Sequence, residues 1–425
     1  MKHAYVPRTT NYTLNPGDEL NDLRMSDKVR PLYDHVKQFI RDTVDPMSVE
    51  FYRAGEKKTN RWSFTDEQLA ILQKAKDKAK EVGLWNFFLP DAETGEGLNN
   101  LDYAYIAAEL GKSPLASETM NCSAPDTGNM EVLERVGTKA QKEKWLKPLL
   151  NGEIRSAYAM TEPNVASSDA KNISTTAKLV GDEWVINGEK YYISGAGDPR
   201  CKIMIVMVKT NPDAAPSKQQ SQILVPMDAP GITIRPSATM YDGTFANIFY
   251  DNVRIPAENL VGEVNDGWKV LTGALAFERG LVGGGIVLKV AHAFEQLRAH
   301  VMAGEGDQSL AGEPIVRDRM ATLASEIEIG RLLMMHCAEL AAGGVTPPEY
   351  GAISKVFSGE LMERFGEAAL DILGMRAALS EQMPGAIDNG RFEQNLRHSL
   401  MWVISIGTNE IQRSLIAQRA LGLPR

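Results

Sequence analysis

Apolar residues recur at helical spacing from about residue 27 to 153 and again from about 264 to the C-terminus. The stretch between them instead carries short apolar runs separated by polar and glycine-rich positions. Spacing of three to four residues puts apolar side chains on one face of a helix, whereas short bounded runs are typical of β-strands. The pattern therefore predicts helices, then a small β domain, then helices.

Two helix starts in the first region carry the same signal. Thr65-Asp66-Glu67-Gln68 predicts a capping box, in which the Thr and Gln side chains bond each other's backbone N–H. The helix that follows is expected to end near Gly83. Thr138-Lys139-Ala140-Gln141 repeats the signal before a short apolar stretch that ends at Gly152.

The middle region predicts strands at 154–160, 184–186, 190–194, 203–209, 221–225 and 247–250. Asn187-Gly188 lies between two of these runs. A type I′ turn needs positive φ at both central residues, and this dipeptide tolerates it. A tight hairpin is therefore predicted at Asn187-Gly188.

The last region predicts a long first helix, running towards Ala303 and followed by a glycine-containing loop at 304–312. Gly283-Gly284-Gly285 falls inside this helix, where each glycine costs about 1 kcal/mol relative to alanine. Close approach of another helix or of a ligand would explain the three glycines, and a local helix break is the alternative. The predicted domains are an arm at 1–26, a helical domain at 27–153, a β domain at 154–261 and a helical domain at 262–425.

Chain length, charge and cysteine content argue against several classes of function. A chain of 425 residues is too long for one ordinary core, and its formal charge of −9 argues against a general nucleic-acid or anionic-membrane surface. Three isolated cysteines suggest neither a disulfide framework nor a metal site. We see no signal-peptide pattern and no apolar run of membrane-spanning length, so the cytoplasm is the expected compartment.

Three segments carry the most specific signals. They are Tyr158 to Asp169 (YAMTEPNVASSD), Trp184 to Ser194 (WVINGEKYYIS) and Gly407 to Arg413 (GTNEIQR). Together with the helical–β–helical order they resemble the acyl-CoA dehydrogenase family, from about residue 27 to 425. The resemblance implies an α+β fold with an N-terminal helical bundle, a middle β domain and a C-terminal four-helix bundle.

The resemblance also implies FAD as the cofactor. A strand that ends in a Thr/Glu/Pro turn leaves backbone N–H groups and hydroxyls available to a flavin ring and a phosphate. The cofactor-binding residues implied by the family motifs are Tyr158, Met160, Thr161, Ser167, Ser168, Tyr192, Ile193, Ser194, Gly374, Thr408 and Glu410. The alternation of Tyr192 and Ser194 is equally compatible with a half-buried strand.

The catalytic base departs from the commonest family pattern. Many members carry a Glu directly before the Gly-Thr of the C-terminal segment, but Ile406 stands there. Isovaleryl-type and long-chain members instead use a Glu-Arg pair on a helix, which matches Glu278-Arg279. Glu278 lies on an apolar stripe, where a carboxylate is either paired or functional. A structural Glu–Arg ion pair, or a Glu at the edge of the stripe, remains the alternative.

The implied activity is α,β-dehydrogenation of an acyl-CoA thioester to a trans-2-enoyl-CoA, with electrons passed to an electron-transfer flavoprotein. Ser168, Phe277 and Arg279 are the implied substrate-binding residues, and a homodimer or homotetramer is expected. Two family segments that contact a neighbouring subunit's flavin are missing, one of them replaced by 371–376, which keeps Gly374. Alternatives are a flavin oxidase or monooxygenase, or a catalytically silent flavin- or acyl-CoA-binding subunit, which Ile406 motivates.

Overall fold

The computed structural model of the chain describes residues 25–56, 60, 62–89, 95–113, 115–240, 245–303, 310–342, 348–381 and 383–424. Side chains of residues 274–284 and 342 are outside the described set. Nearly all of the arm predicted at 1–26 and most of the loop predicted at 304–312 also lie outside the described residues.

The N-terminal region is helical. Its helices are α1 (Arg30–Phe39), α2 (Asp45–Gly55), α3 (Asp66–Glu81), α4 (Asn100–Lys112), α5 (Ala116–Thr119), α6 (Asp126–Val136), α7 (Lys139–Gln141) and α8 (Lys147–Leu150). Single π turns, Ile40–Val44 and Lys142–Leu146, join α1 to α2 and α7 to α8. Both predicted capping boxes are present, with Thr65 and Gln68 at the start of α3 and Thr138 and Gln141 at the start of α7.

The middle region is a β domain. Its strands are β1 (Arg155–Ala159), β2 (Thr176–Val180), β3 (Glu183–Ile193), β4 (Cys201–Lys209), β5 (Gln220–Pro226), β6 (Ile232–Pro236), β7 (Ala246–Pro256) and β8 (Leu260–Val261). Within the described residues the sheet order is β6-β7-β3-β2-β4-β5-β8, and β1 pairs with β4 in parallel. The long alternating strands β3 and β7 pair antiparallel and bury Trp184, Ile186 and Ile248 between them and the core.

The hairpin predicted at Asn187-Gly188 is wrong. β3 runs through both residues, and the chain reverses instead at Gly181-Asp182, between β2 and β3. Gly188 has φ 145°, and a Cβ atom there would lie 2.5 Å from Thr175 Oγ1. Because Gly188 has no side chain, Thr175 can approach its backbone closely, at a point where the register between β3 and β7 shifts. Pairing along the whole of β3 outweighs the turn preference of Asn187-Gly188.

The C-terminal region is a bundle of α9 (Gly267–Met302), α10 (Pro314–Ala342), α11 (Pro348–Leu373), α12 (Arg391–Ile404) and α13 (Asn409–Arg419). Leu297, Phe365 and Phe392 are buried in its core. α9 continues through Gly283–Gly285, so the alternative of a local break is wrong. α4 passes beside α9 at this point, since a Cβ on Gly111 would lie 3.9 Å from the Gly285 carbonyl oxygen.

The observed layers confirm the predicted α+β fold, with an N-terminal helical bundle, a middle β domain and a C-terminal helical bundle. Among the described helices, none is both long and apolar enough to cross a membrane.

Candidate active site

The first two sequence segments meet at the ends of β1 and β3. The Thr161 hydroxyl donates to the Tyr191 carbonyl oxygen at 2.6 Å, and the Tyr191 N–H donates to the Thr161 carbonyl oxygen at 2.8 Å. Residues thirty positions apart in sequence are therefore held as neighbours by a reciprocal pair of hydrogen bonds. Tyr158 and Met160 lead into this junction and are half-buried.

A buried ion pair lies beneath the junction. Lys190 Nζ is 2.8 Å from Glu162 Oε1, and the two side chains are 0% and 2% exposed. Lys190 Nζ also donates to the Met160 carbonyl oxygen at 2.9 Å. The other carboxylate oxygen of Glu162 accepts from the Ser174 N–H and hydroxyl, both at 2.6 Å. Every ionic group here has partners, which is the condition for burying charge.

The protonation states follow from this environment. Burial alone would raise the pKa of Glu162, but the Lys190 ammonium and the hydrogen bonds from Ser174 lower it to about 2. Burial lowers the pKa of Lys190 to about 8, against the opposing effect of Glu162. Both groups are therefore charged at neutral pH, and the pair fixes the 158–169 segment on β3.

The two serines of the first segment have different environments. Ser167 is buried, and its hydroxyl accepts from the Glu162 N–H at 2.8 Å and donates to the Glu162 carbonyl oxygen at 2.9 Å. This hydroxyl closes the turn. Ser168 is exposed and has no hydrogen bond within the described part of the chain. The hydroxyl of Ser168, unlike that of Ser167, is thus accessible from outside the turn.

The second segment presents an aromatic ring and a hydroxyl on one side. Tyr192 is 54% exposed and Ser194 is exposed, whereas Ile193 between them is buried. Tyr192 has φ 55°, and the pairing of β3 with β7 shifts register between Lys190 and Ile193. Positive φ in a bulky aromatic residue is strained, and such strain concentrates at functional sites.

These groups fit a flat heteroaromatic cofactor that carries a phosphate. An exposed aromatic ring, two exposed hydroxyls and the end of a strand offer stacking surface and hydrogen bonds of the kind such a cofactor needs. Tyr192, Ser194 and Ser168 could hold it directly. Ser167, Ile193 and Thr161 act on the shape of the surface, because their side chains are buried or bonded to backbone.

The first turns of α9 pack against the same segment. Leu271 is buried with Ala170, Ile173 and Met207, and Trp268 and Met160 pack onto that cluster. Lys171 Nζ lies 5.6 Å from the centre of a Trp268 ring. Glu278 follows Leu271 by seven residues, so an α-helix carries it two turns further along the same face. The side chains of Phe277, Glu278 and Arg279 lie outside the described residues.

The C-terminal segment has an unusual backbone. Ile406 has φ 58° and Gly407 has φ 81°, and positive φ is rare for a β-branched residue. Gln412, which is fully buried, donates to the Ile406 carbonyl oxygen at 2.8 Å. Thr408 caps α13 by accepting from the Ile411 N–H at 3.3 Å. Hydrogen bonds from its own N–H and from Thr408 lower the pKa of the exposed Glu410.

Gly374 follows the last residue of α11. Its φ of 71° and ψ of −164° belong to a region open only to glycine. Among the hydrogen bonds of the described residues, none joins Gly374, Thr408 or Glu410 to the junction of β1 and β3. Hydrogen bonds in the described part of the chain thus join the first two predicted segments to each other, and none of them joins the third predicted group to that junction.

Sequence reasoning missed the ion pair and a second buried network. Arg155, at the start of β1, pairs with Glu118 at 2.9 Å and with Asp126, whose carboxylate also accepts from the Ser156 N–H. The burial of Lys190 could have been predicted from the sequence, because Lys190 continues the alternation of buried positions that begins with Trp184 and Ile186 along β3. A lysine at such a position requires a partner. The pattern of apolar and polar residues gave no similar indication that Glu162 or Glu118 would form a buried ion pair.

The described residues contain no group of three or more His, Cys, Asp or Glu side chains that could hold a metal ion. The polar groups that converge are hydroxyls, backbone groups and one closed ion pair. This set is suited to binding an organic cofactor.

Three family models match successive parts of the chain. The N-terminal domain of acyl-CoA dehydrogenases matches residues 26–153, the middle domain 157–253 and the C-terminal domain 265–421. A solved acyl-CoA dehydrogenase homologue from Mycobacterium abscessus is 34% identical with a TM-score of 0.86, over 94% of this chain and 99% of that one.

Two curated relatives match this chain over part of their own length. Mouse acyl-CoA dehydrogenase family member 10 is 38% identical over 85% of this chain and 34% of its own length. The Mycobacterium tuberculosis protein named acyl-CoA dehydrogenase FadE2 is 46% identical over 62% of this chain and 65% of its own length. The matched region therefore spans about a third of one relative and about two-thirds of the other. The three successive domain matches and the shared fold show that this chain belongs to the acyl-CoA dehydrogenase family.

Proposed function

We propose that the protein is an FAD-dependent dehydrogenase that converts an acyl-CoA thioester to its trans-2-enoyl-CoA and passes electrons to an electron-transfer flavoprotein. The observation that carries this proposal is the junction of Thr161 with Tyr191, supported by the Glu162–Lys190 pair. It joins the two family segments into one surface of exposed aromatic and hydroxyl groups, in a member of a flavin-dependent family.

The proposed chemistry divides between cofactor and chain. FAD, when bound, would supply the acceptor for the hydride that leaves the β-carbon. The Glu278 carboxylate removes the α-proton, leaving a double bond between the α- and β-carbons. Burial on the apolar stripe would raise the pKa of such a carboxylate and strengthen it as a base. Ser168, Phe277 and Arg279 are proposed to contact the thioester substrate, and Tyr192 and Ser194 to contact the flavin.

The test of this function is an anaerobic titration of the purified protein with short, long and branched acyl-CoAs, following the visible absorption of the flavin. Bleaching by one class establishes the half-reaction and the acyl range. Fast reoxidation of the bleached flavin by oxygen would favour an oxidase or monooxygenase. A protein that purifies without flavin, and binds none on reconstitution, would contradict the proposal.

Glu278→Gln tests the base. General bases contribute about a hundred- to ten-thousandfold, so the bleaching rate should fall by that factor while flavin content is kept. Glu295→Gln is the matched control, because Glu295 is an exposed residue of the same helix paired with Arg298. Equal rates in wild type and Glu278→Gln would remove Glu278 from the mechanism.

Ile406 supports a second candidate function, that of a flavin-binding subunit with no turnover of its own. The position that carries the base in many relatives holds an aliphatic side chain with strained φ. Such a subunit would hold flavin and show no bleaching with any acyl-CoA. Bleaching that depends on Glu278 would exclude this candidate.

A further inference from the structure

Lys289 lies on the same helix as the proposed base. It follows Glu278 by eleven residues in α9, which is three helical turns, so the two positions share one helical face about 16 Å apart. Gly285 lies between them, and a Cβ atom there would meet no atom of the described residues within 4 Å. The described residues therefore leave the position beside Gly285, between the proposed base and Lys289, unfilled.

Within the described residues the ammonium of Lys289 has no acidic partner, and it lies over the Trp402 ring, whose centre is 5.1 Å from Nζ. Burial lowers the pKa of Lys289, and no carboxylate offsets that effect. A cation–π contact compensates only part of the cost of removing an ammonium from water. The site therefore favours an added anion.

α12 and Ser405, the residue after it, carry further donors. Among the described residues, the indole N–H of Trp402 is buried without a hydrogen-bond partner, as are the amide nitrogen of Asn395 and the hydroxyl of Ser405. Burial, with a smaller effect from Lys289, lowers the pKa of His398 to about 3, so this ring is neutral at pH 7. Unpartnered buried donors are rare in folded proteins and indicate a missing acceptor.

We propose that Lys289 and Trp402 bind a carboxylate at the far end of the acyl chain, so that the preferred substrates are mono-CoA thioesters of dicarboxylic acids. The acyl chain would start beside Glu278, pass the open space at Gly285 and end at Lys289. A carboxylate at the end of an acyl chain that extends from the reacting carbons along α9 would bring an acceptor to this surface. The inference rests on the proposed dehydrogenase function, which supplies the starting point of the chain.

The test compares adipoyl-, suberoyl-, sebacoyl- and dodecanedioyl-CoA with the matched hexanoyl-, octanoyl-, decanoyl- and dodecanoyl-CoA. One dicarboxylic length should exceed its matched partner in kcat/KM. Lys289→Met should abolish that preference, a loss of about ten- to a hundredfold, as expected for a hydrogen bond to a charged group. Lys289→Arg should retain part of it. Turnover of the monocarboxylic partner should stay within about threefold in both variants.

Binding without turnover provides a second readout. Analogues with sulfur in place of the β-methylene cannot lose the β-hydride, so their Kd reports binding alone. Lys289→Met should weaken the dicarboxylic analogue selectively, and Lys74→Met, on an exposed part of α3, should change nothing.

Two results would overturn the inference. Equal kcat/KM values within every matched pair, with normal turnover of monocarboxylic substrates, would refute the carboxylate site and leave the dehydrogenase function standing. A change of oligomeric state in Lys289→Met without a change of selectivity would assign the missing acceptor to a neighbouring subunit. Absence of turnover with every thioester would instead count against the proposed function itself.

Discussion

Lys190 and Lys289 are a fully buried and a half-buried lysine that differ in whether a carboxylate lies beside the ammonium. Lys190 is fully buried in β3 and contacts Glu162 at 2.8 Å and the Met160 carbonyl oxygen at 2.9 Å. Lys289 is half-buried in α9 and contacts the Trp402 ring, with no carboxylate beside it in the described part of the chain. The first lysine has its charge compensated by its own fold.

The difference distinguishes a charge that stabilises the fold from a charge that is available to bind a ligand. A buried charge with a complete set of partners fixes two segments of one chain against each other, as Lys190 does for the surface proposed to bind flavin. A desolvated charge without such partners raises the free energy of the folded protein until a ligand arrives. Removing the two ammonium groups should therefore have opposite consequences for stability.

The largest effect is expected for Lys190→Met. The variant leaves the Glu162 carboxylate buried and uncompensated, which should cost about 3–5 kcal/mol of unfolding free energy. Flavin content should fall with it, because the junction under Tyr192 loses its anchor. Urea unfolding and the flavin-to-protein absorbance ratio measure both. Lys178→Met, an exposed lysine on β2, is the control and should stay within about 0.5 kcal/mol.

The pairing with Glu162 can be tested further by a double-mutant cycle with Glu162→Gln. The combined loss should be clearly smaller than the sum of the two single losses, because each single variant already breaks the pair. Strict additivity would show that Glu162 and Lys190 act independently.

Acid should produce the next largest effect. The pKa of Glu162 is about 2 in the folded protein, below its ordinary value of 4.5, so the folded state binds fewer protons than the unfolded state between these values. Its stabilisation is present above about pH 4.5 and is lost as pH falls through about 2, up to about 3 kcal/mol. Unfolding free energies measured across this range should fall more steeply for wild type than for Glu162→Gln. Parallel curves would contradict the depressed pKa.

The smallest change in stability is expected for Lys289→Met. Loss of the cation–π contact, worth up to about 2 kcal/mol, is offset by relief of the desolvated charge, so the unfolding free energy should stay within about 1 kcal/mol or rise. Thermal unfolding beside Lys190→Met makes the comparison directly. A loss as large as that of Lys190→Met would mean that Lys289 has a structural partner after all, and would remove the contrast between the two lysines.

Sequence signals predicted the structure correctly where the interaction involves only residues close together in the chain. The capping boxes at Thr65 and Thr138 formed because a hydroxyl and an amide three residues apart satisfy each other's backbone without help from the rest of the chain. The segments at Tyr158 and Tyr192 were recognisable because each is a continuous stretch. The turn signal at Asn187-Gly188 failed, since β7 extends the pairing through it.

The candidate site was predictable only in part. The family motifs pointed to Thr161, Tyr192 and Ser194, but they assigned both Ser167 and Ser168 to the cofactor. The Ser167 hydroxyl forms hydrogen bonds with the Glu162 backbone. These bonds depend on the conformation of the folded turn, which the sequence motif does not specify. The assignment of Glu278 as the base remains a prediction from its neighbours in sequence.

The sequence by itself determined the order of helices and strands and the family, because periodicity, caps and motifs are properties of nearby residues. It also predicted which segments face the proposed cofactor. Tertiary structure decided which charges are compensated. Glu162 meets Lys190, and Lys289 meets no acid in the described residues, through distances set by strand pairing and helix packing. Charge compensation depends on proximity in space, which residue spacing along the chain does not specify.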